Sequence, residues 1–294
     1  MNSKKAIFLP PITGLTFAGS FVAGKYAIFD MPPLTITLLR YIIALIFLGL
    51  LLPYYKLQAL KVNNRDLPKL ALLGLLGVIG YHFFFFSSLN YTAVANTAII
   101  NATSPVITGF LASIFIRERL SGINYTGILI ALVGVLILLT GGKIENLTGL
   151  NFNFGDILML CAVVSWAIYA LIVKTLMIKY SGYNVTFYGA LFGVLILAVI
   201  TPIFEGVNPH IGEIGPTAVY SILYMGIIAS GVGYFLYNQS VHEIGPTRTS
   251  SYVYSTVPVF VAVLAFLFFA EPITLLILLS ILLIITGLHL VLRK

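Results

Sequence analysis

The sequence predicts an all-α integral membrane protein. Its ten spanning helices form two inverted five-helix repeats, with both termini in the cytoplasm. Three observations predict this: an apolar excess, an internal repeat of long period, and an uneven placement of basic residues. Of 294 residues, 60% are hydrophobic and 9% charged, against roughly 25% charged in a soluble domain. Mean hydropathy is +1.05, and no soluble core buries so much apolar surface. Residues 80–134 align without a gap on residues 233–287, pairing Gly80 with Gly233, Tyr81 with Tyr234, Ser87 with Ser240, Pro105 with Pro258, Glu118 with Glu271 and Gly134 with Gly287. Shared apolarity alone would not keep proline, glutamate and glycine in one register. A fixed long period is a primary architectural signal. Here it is about half the chain, which means two related halves rather than a solenoid.

A spanning helix needs ~20 mostly apolar residues, and the elements follow in order. The first covers about 6–28, behind Lys4 and Lys5. A basic start before an apolar run resembles a signal peptide, but this run is long enough to span and no separate mature domain follows it. The second, 34–53, follows Pro32-Pro33. The third, 69–89, follows the polar turn Asn63-Asn64-Arg65-Asp66. The fourth is 92–116, and the fifth, 121–141, lies between Ser121-Gly122 and Gly141-Gly142. In the second half the segments are 155–178, 183–204, 216–241, 246–269 and 272–292, with Gly245-Pro246 dividing the eighth from the ninth. The domains are therefore 1–142 and 155–294, joined by an outer linker at 143–154. The longest connections, 144–154 and 205–215, are too short for an enzyme domain. A transmembrane barrel would show alternation in ~10-residue segments instead of continuous apolar runs.

With a cytoplasmic N-terminus, 13 basic residues fall inside and three (Lys25, Arg40 and Lys143) fall outside, a strong positive-inside bias. The acids Asp30, Glu145, Asp156, Glu205, Glu213 and Glu271 lean outward. The net charge of +7 thus reflects topology, and no nucleic-acid partner is assigned to it. Five helices per half is an odd number, so the second half enters from the opposite side. Glu118 ends the fourth helix on the inner face, and Glu271 ends the ninth on the outer face. Inverted repeats are a recurrent transporter design, with a site near the midplane between the halves. The repeat reaches helices 1 and 6 at an offset of 149, pairing Thr16 with Ser165, Phe17 with Trp166, Ser20 with Tyr169 and Lys25 with Lys174. A single cysteine, Cys161, excludes a disulfide framework and a multi-cysteine metal site. No metal or cofactor is expected.

These features resemble an EamA-type member of the drug/metabolite transporter superfamily. The resemblance rests on two five-helix halves and on Pro105/Glu118 and Pro258/Glu271 at one shared spacing. It also rests on Arg117-Glu118-Arg119-Leu120 closing helix 4, on Gly127 and Gly134 in the next helix, and on Arg40 in Leu-Arg-Tyr. The sequence departs from the family pattern at Phe17-Ala-Gly-Ser, where a Trp is frequent, at Ala270-Glu271-Pro272, and at Ser280, the partner of Gly127. The resemblance implies transport of small organic metabolites across the cytoplasmic membrane. Export of amino acids or related compounds is common among the bacterial members.

Polar side chains in a membrane helix are costly against lipid and usually face a partner helix or a wet cavity. Thr97, Asn101, Ser104 and Thr108 share one face of helix 4. Thr247, Ser251 and Tyr254 do so on helix 9, Ser230, Tyr234 and Asn238 on helix 8, Ser165 and Tyr169 on helix 6, and Thr16 and Ser20 on helix 1. We expect these faces to converge on a substrate cavity, walled by Trp166, Tyr81, Tyr234 and the Phe run 83–86. The plainer reading is helix–helix bonding, worth ~0.6–2 kcal/mol per pair, with the Phe run facing lipid or core. His82 titrates near neutrality when free and is a candidate for proton coupling; its repeat mate is Phe235, and a bonded packing role is the alternative. Arg40 either binds a carboxylate or caps a carbonyl. Lys25 and Lys174 are read as snorkelling. Glu118 and Glu271 either stabilise their links or gate. Pro105 and Pro258 lie mid-helix and are candidate hinges. Gly74, Gly77 and Gly80, and Gly189 with Gly193, allow close helix approach. The expected partners are a small-molecule substrate and the lipid bilayer, with monomer and homodimer both open. A channel is the second reading. An intramembrane enzyme is the third, disfavoured because no HExxH and no deep acid pair is present.

Overall fold

The computed structural model describes residues 8–28, 30–52, 61–88, 91, 100–140, 153–206, 214–269 and 274–292. Among these no residue is in a strand. Ten helices follow in order: α1 Leu9–Ala27, α2 Pro33–Leu50, α3 Asn64–Ser88, α4 Ser104–Phe115, α5 Gly122–Thr140, α6 Phe154–Leu176, α7 Gly182–Phe204, α8 Pro216–Ile244, α9 Pro246–Phe269 and α10 Leu275–Leu292. Five of them (α2, α3, α6, α7 and α8) are long and apolar enough to cross a membrane, and Ile100–Phe115, Gly122–Leu138 and Leu275–Val291 are shorter apolar helices. The chain is a multi-pass membrane protein by this measure.

Helix starts follow local chemistry. Pro33 opens α2 at a position whose N–H needs no helical partner. Asn153 and Asp156 close a reciprocal capping box at the start of α6, and the Ser181 side chain accepts from Asn184 N at the start of α7. Two long helices change winding partway. α3 is π-helical over Gly74–Gly80 and α8 over Met225–Gly233. Shifted by the repeat offset of 153, residues 74–80 become 227–233, so the two π segments occupy matching positions. π turns are rare and recur at functional sites.

Pro105 is not mid-helix. A turn at Thr103 interrupts the fourth helical segment, and Pro105 occupies the first turn of α4. The proline has no N–H to offer the Asn101 carbonyl four residues earlier. The Ser104 hydroxyl donates to that carbonyl instead, at 2.6 Å. Pro258 does lie inside a continuous helix, α9.

α5 and α10 pack backbone to backbone. A Cβ placed on Gly127 would come 2.6 Å from the Gly287 carbonyl oxygen, and one on Gly287 would come 2.5 Å from Ala131 N. α2 packs on α7 and on the π segment of α8, while α7 packs on the π segment of α3. The principal core lies where α2, α3, α6, α7 and α8 meet, with Tyr41, Trp166, Tyr169, Tyr183 and Tyr237 fully buried.

Polar side chains tie the helix ends together. Glu205, after α7, accepts from Leu34 N at 2.7 Å and from Thr35 N and Oγ1 at 2.8 Å, capping α2. Glu118, after α4, accepts from Thr247 N at 3.4 Å and Oγ1 at 2.6 Å, capping α9. Anions suit helix N-termini because unpaired N–H groups and the helix dipole converge there. Asp66, at the start of α3, accepts from Lys179 Nζ at 3.1 Å and Tyr180 Oη at 2.7 Å, just past α6. Asp30, after α1, accepts from Gly215 N at 3.0 Å, just before α8. At the offset of 149, Asp30 matches Lys179 and Asp66 matches Gly215. The two ties are thus repeat mates.

Candidate functional site

The centre of the bundle is built on Trp166. On α6, Trp166 and Tyr169 are three residues apart and share a face; on α8, Tyr234, Tyr237 and Asn238 share another. These faces meet, with ring centroids 5.0 Å apart for Trp166–Tyr169, 4.8 Å for Trp166–Tyr237 and 5.2 Å for Trp166–Tyr234. Phe17 of α1 and Tyr81 of α3 complete the surround at 6.1 Å and 5.2 Å. Tyr169 lies flat on Gly77, where a Cβ would come 2.3 Å from the Tyr169 ring, so only glycine fits.

Polar bonds cross this aromatic core. Tyr169 Oη donates to Asn238 Oδ1 at 2.8 Å, and Asn238 Nδ2 donates to Thr186 Oγ1 at 2.9 Å, linking α6, α8 and α7. Tyr234 Oη donates to the Gly77 carbonyl at 3.0 Å, inside the π segment of α3. On the other flank, Arg40 is only 4% exposed. Its Nε donates to Ser230 Oγ at 2.9 Å, inside the π segment of α8. Its Nη1 donates to His82 Nε2 at 3.4 Å, and its guanidinium carbon lies 5.6 Å from the Tyr41 ring centre. His82 Nδ1 donates to the Val78 carbonyl at 2.8 Å. Arginine can only donate, so Nε2 is the acceptor and the ring is the neutral tautomer.

Three polar atoms in this region, Tyr41 Oη, Trp166 Nε1 and Tyr237 Oη, are buried with no hydrogen bond of good geometry; the Tyr41 hydroxyl faces Tyr234 and Ser230, and the Tyr237 hydroxyl faces the Trp166 indole. A recess lies beside Tyr41, lined by that residue and by Val78, Tyr169, Thr186, Gly189, Ala190, Ser230 and Tyr234. It is too constricted to hold a water molecule. Buried polar groups without well-formed hydrogen bonds cost about 1–3 kcal/mol each.

Of the residues singled out in the sequence, Arg40, Tyr81, His82, Trp166, Tyr169, Tyr234 and Asn238 are brought together here. Asn101 and Tyr254 stand at the far side, beside the Tyr81 hydroxyl. Ser20 is half-buried on α1 with no hydrogen bond into the cluster. Thr97 and Glu271 lie outside the described residues. Glu118 reaches across to α9 rather than to its own link. Lys174 Nζ donates to the His242 carbonyl at the end of α8. The Phe run divides by helical periodicity: Phe83 faces outward, Phe86 is buried, and Phe85 stacks on Tyr81 with ring centroids 6.0 Å apart. Sequence reasoning missed Tyr41, Tyr237 and Thr186. Tyr237 was within reach, being one helical turn from Tyr234, and Tyr41 directly follows Arg40.

Known proteins resemble this chain along most of its length. The model of the EamA-like transporter family matches residues 4–140 and again 153–293. The uncharacterized transporter YyaM of Bacillus subtilis (strain 168) is 30% identical over 195 residues, which is 66% of this chain and 63% of that relative. A probable terminal-alkyne amino-acid exporter of Streptantibioticus cattleyicolor is 24% identical over 92% of this chain and 88% of its own. A protein solved by crystallography superposes with a TM-score of 0.80 over 98% of this chain and 96% of its own, at 17% identity, a likeness of fold alone.

Proposed function

Because the chain belongs to the EamA-like transporter family, we propose that it is a secondary transporter that moves a small polar organic metabolite across the cytoplasmic membrane by alternating access. Its ten helices cross as two five-helix halves, 1–142 and 155–294, inverted with respect to each other, with both termini in the cytoplasm. An amino acid or related compound is the cargo and export is the direction. This part of the reading leans on the similarity to a protein named as a probable amino-acid exporter.

One observation carries the proposal. The buried aromatic and polar cluster around Trp166 draws on both halves at once: Arg40, Gly77, Tyr81 and His82 from one, and Trp166, Tyr169, Ser230, Tyr234 and Asn238 from the other. A site shared by two related halves is where alternating-access carriers bind their cargo.

Reconstitution into liposomes tests this. Trapped unlabelled amino acid should accelerate uptake of the labelled compound, and uptake should saturate. Linear, unsaturated flux without trans-stimulation would indicate a channel.

A further inference from the structure

We propose that the cluster selects its cargo through a carboxylate held by Arg40, with an apolar and preferably aromatic remainder stacked among Trp166 and its neighbouring rings. This rests on the transport reading and narrows its substrate class.

Arg40 is the eighth of the 18 residues of α2 and almost wholly buried. A cation at such depth is expensive unless it is paired. Its partners are neutral: the Ser230 hydroxyl and the neutral His82 imidazole. Among the described residues the one ion pair is Lys179–Asp66, at a helix end. Each of the nine acidic residues of the chain falls near the end of an apolar run. Among the described residues, therefore, no carboxylate pairs with this buried positive charge. Arginine has five N–H donors, and two are engaged here, one from Nε and one from Nη1. A planar guanidinium with free donors matches a carboxylate better than any other small organic group.

The groups nearby point the same way. Trp166 Nε1 is a donor only, and Trp166 Nε1, Tyr41 Oη and Tyr237 Oη are buried with at best poorly aligned neighbours. The region has donors and positive charge to spare, which an oxygen-rich anion would satisfy. A cargo carrying an ammonium group and no carboxylate would find no acidic partner among the described residues of the cluster and would face Arg40. The aromatic surround of Trp166, with ring separations of 4.8–6.1 Å, suits a flat apolar body. The recess has no room for even a water-sized group, so the rings must part to admit a cargo.

Trp166 is the only tryptophan in the chain and therefore reports on this site alone. The test is a fluorescence titration of the full chain in lipid nanodiscs with 3-phenylpropionate, 3-phenylpropanol and 2-phenylethylamine, which differ only in the head group. The carboxylate should give a saturable change, with the alcohol and the amine at least tenfold weaker. Arg40→Gln should weaken the carboxylate at least tenfold and leave the alcohol unchanged, and Arg40→Lys should fall between. If Arg40→Gln does not fold, judged by thermal unfolding and the emission maximum, Arg40→Lys alone decides and should still weaken the carboxylate selectively. Amine or alcohol binding as tight as the carboxylate overturns the inference, as does carboxylate binding unchanged in the folded Arg40 variants. If none of the three probes binds while counterflow of another solute succeeds, the carboxylate inference fails and the transport reading stands. If neither is seen, the transport reading fails with it.

Discussion

Arg40 Nε donates to Ser230 Oγ at 2.9 Å, joining α2 of the first half to the π-helical segment of α8 in the second. The relationship has a partial counterpart across the repeat. Tyr234 Oη of α8 donates to the Gly77 carbonyl, in the π segment of α3, and Gly77 is the repeat mate of Ser230. Each half thus presents one π-helical position to a side chain of the other.

Ser230→Ala removes the acceptor of a buried, charged donor. We expect a loss of about 1–3 kcal/mol, read as a lowered unfolding temperature of the purified protein in detergent. Thr286→Ala, whose hydroxyl bonds only its own helix at an exposed position, should change little. Equal stability of the two variants would show that the Arg40–Ser230 bond contributes nothing.

Gly77→Ala sets a methyl group against the Tyr169 ring, at an approach of 2.3 Å. The ring must swing away, which breaks the Tyr169–Asn238 bond of 2.8 Å and alters the stacking on Trp166. We expect a shifted Trp166 emission and at least a tenfold loss of transport, while Gly49→Ala, in open space, should leave both intact. An unshifted emission in Gly77→Ala would contradict the described packing.

Two carboxylates at helix ends should respond to pH with opposite signs. Burial pushes the Glu118 carboxyl above the ordinary carboxylate range, against the Thr247 bonds that pull it down. An acid raised in the folded state ionises first in the unfolded chain, so its contribution is fully present at low pH and falls as pH rises through the carboxylate range. The Tyr180 hydroxyl bond, with Lys179 beside it, holds the Asp66 carboxyl below that range. Its contribution is present above the ordinary carboxylate pKa and lost as pH falls through the lower folded value. Thermal unfolding of Asp66→Asn should therefore differ most from the parent at neutral pH and least in acid. In Glu118→Gln the decline with rising pH that Glu118 causes should disappear. Parallel pH profiles for the two variants would contradict these assignments.

The limits of legibility are physical. Arg40, His82 and Asn238 stood out because polar groups in apolar runs are costly, and the cost points inward. Trp166 and Tyr234 stood out because the repeat marked them. Tyr41 and Tyr237 did not, since a tyrosine in a membrane helix packs equally well against core, lipid or headgroup, and only the third dimension shows its hydroxyl buried without a well-aligned bond. The π segments left only a glycine signal, in Gly74, Gly77 and Gly80 and again in Gly226, Gly231 and Gly233. Winding there is set by the neighbours: a Cβ on Gly74 would meet Gly193 N at 2.5 Å, and one on Gly226 would meet the Arg40 carbonyl oxygen at 2.8 Å. Glu118 read as a local link residue because its partner Thr247 lies 129 positions away, a separation that no periodicity reports. Pro105 read as mid-helix because the rescue of the Asn101 carbonyl by Ser104, which goes with the turn at Thr103, is a geometric event.

The most direct test of two oppositely oriented halves uses repeat mates at exposed positions. Ser121 precedes α5 and Thr274 precedes α10, 153 residues apart and both exposed. In a Cys161→Ala background, Ser121→Cys and Thr274→Cys are each labelled in intact cells with a membrane-impermeant maleimide. The account predicts that the Thr274→Cys variant is labelled from outside and the Ser121→Cys variant only after the membrane is permeabilised. Labelling of both from the same side would contradict the inverted arrangement and the carrier mechanism built on it.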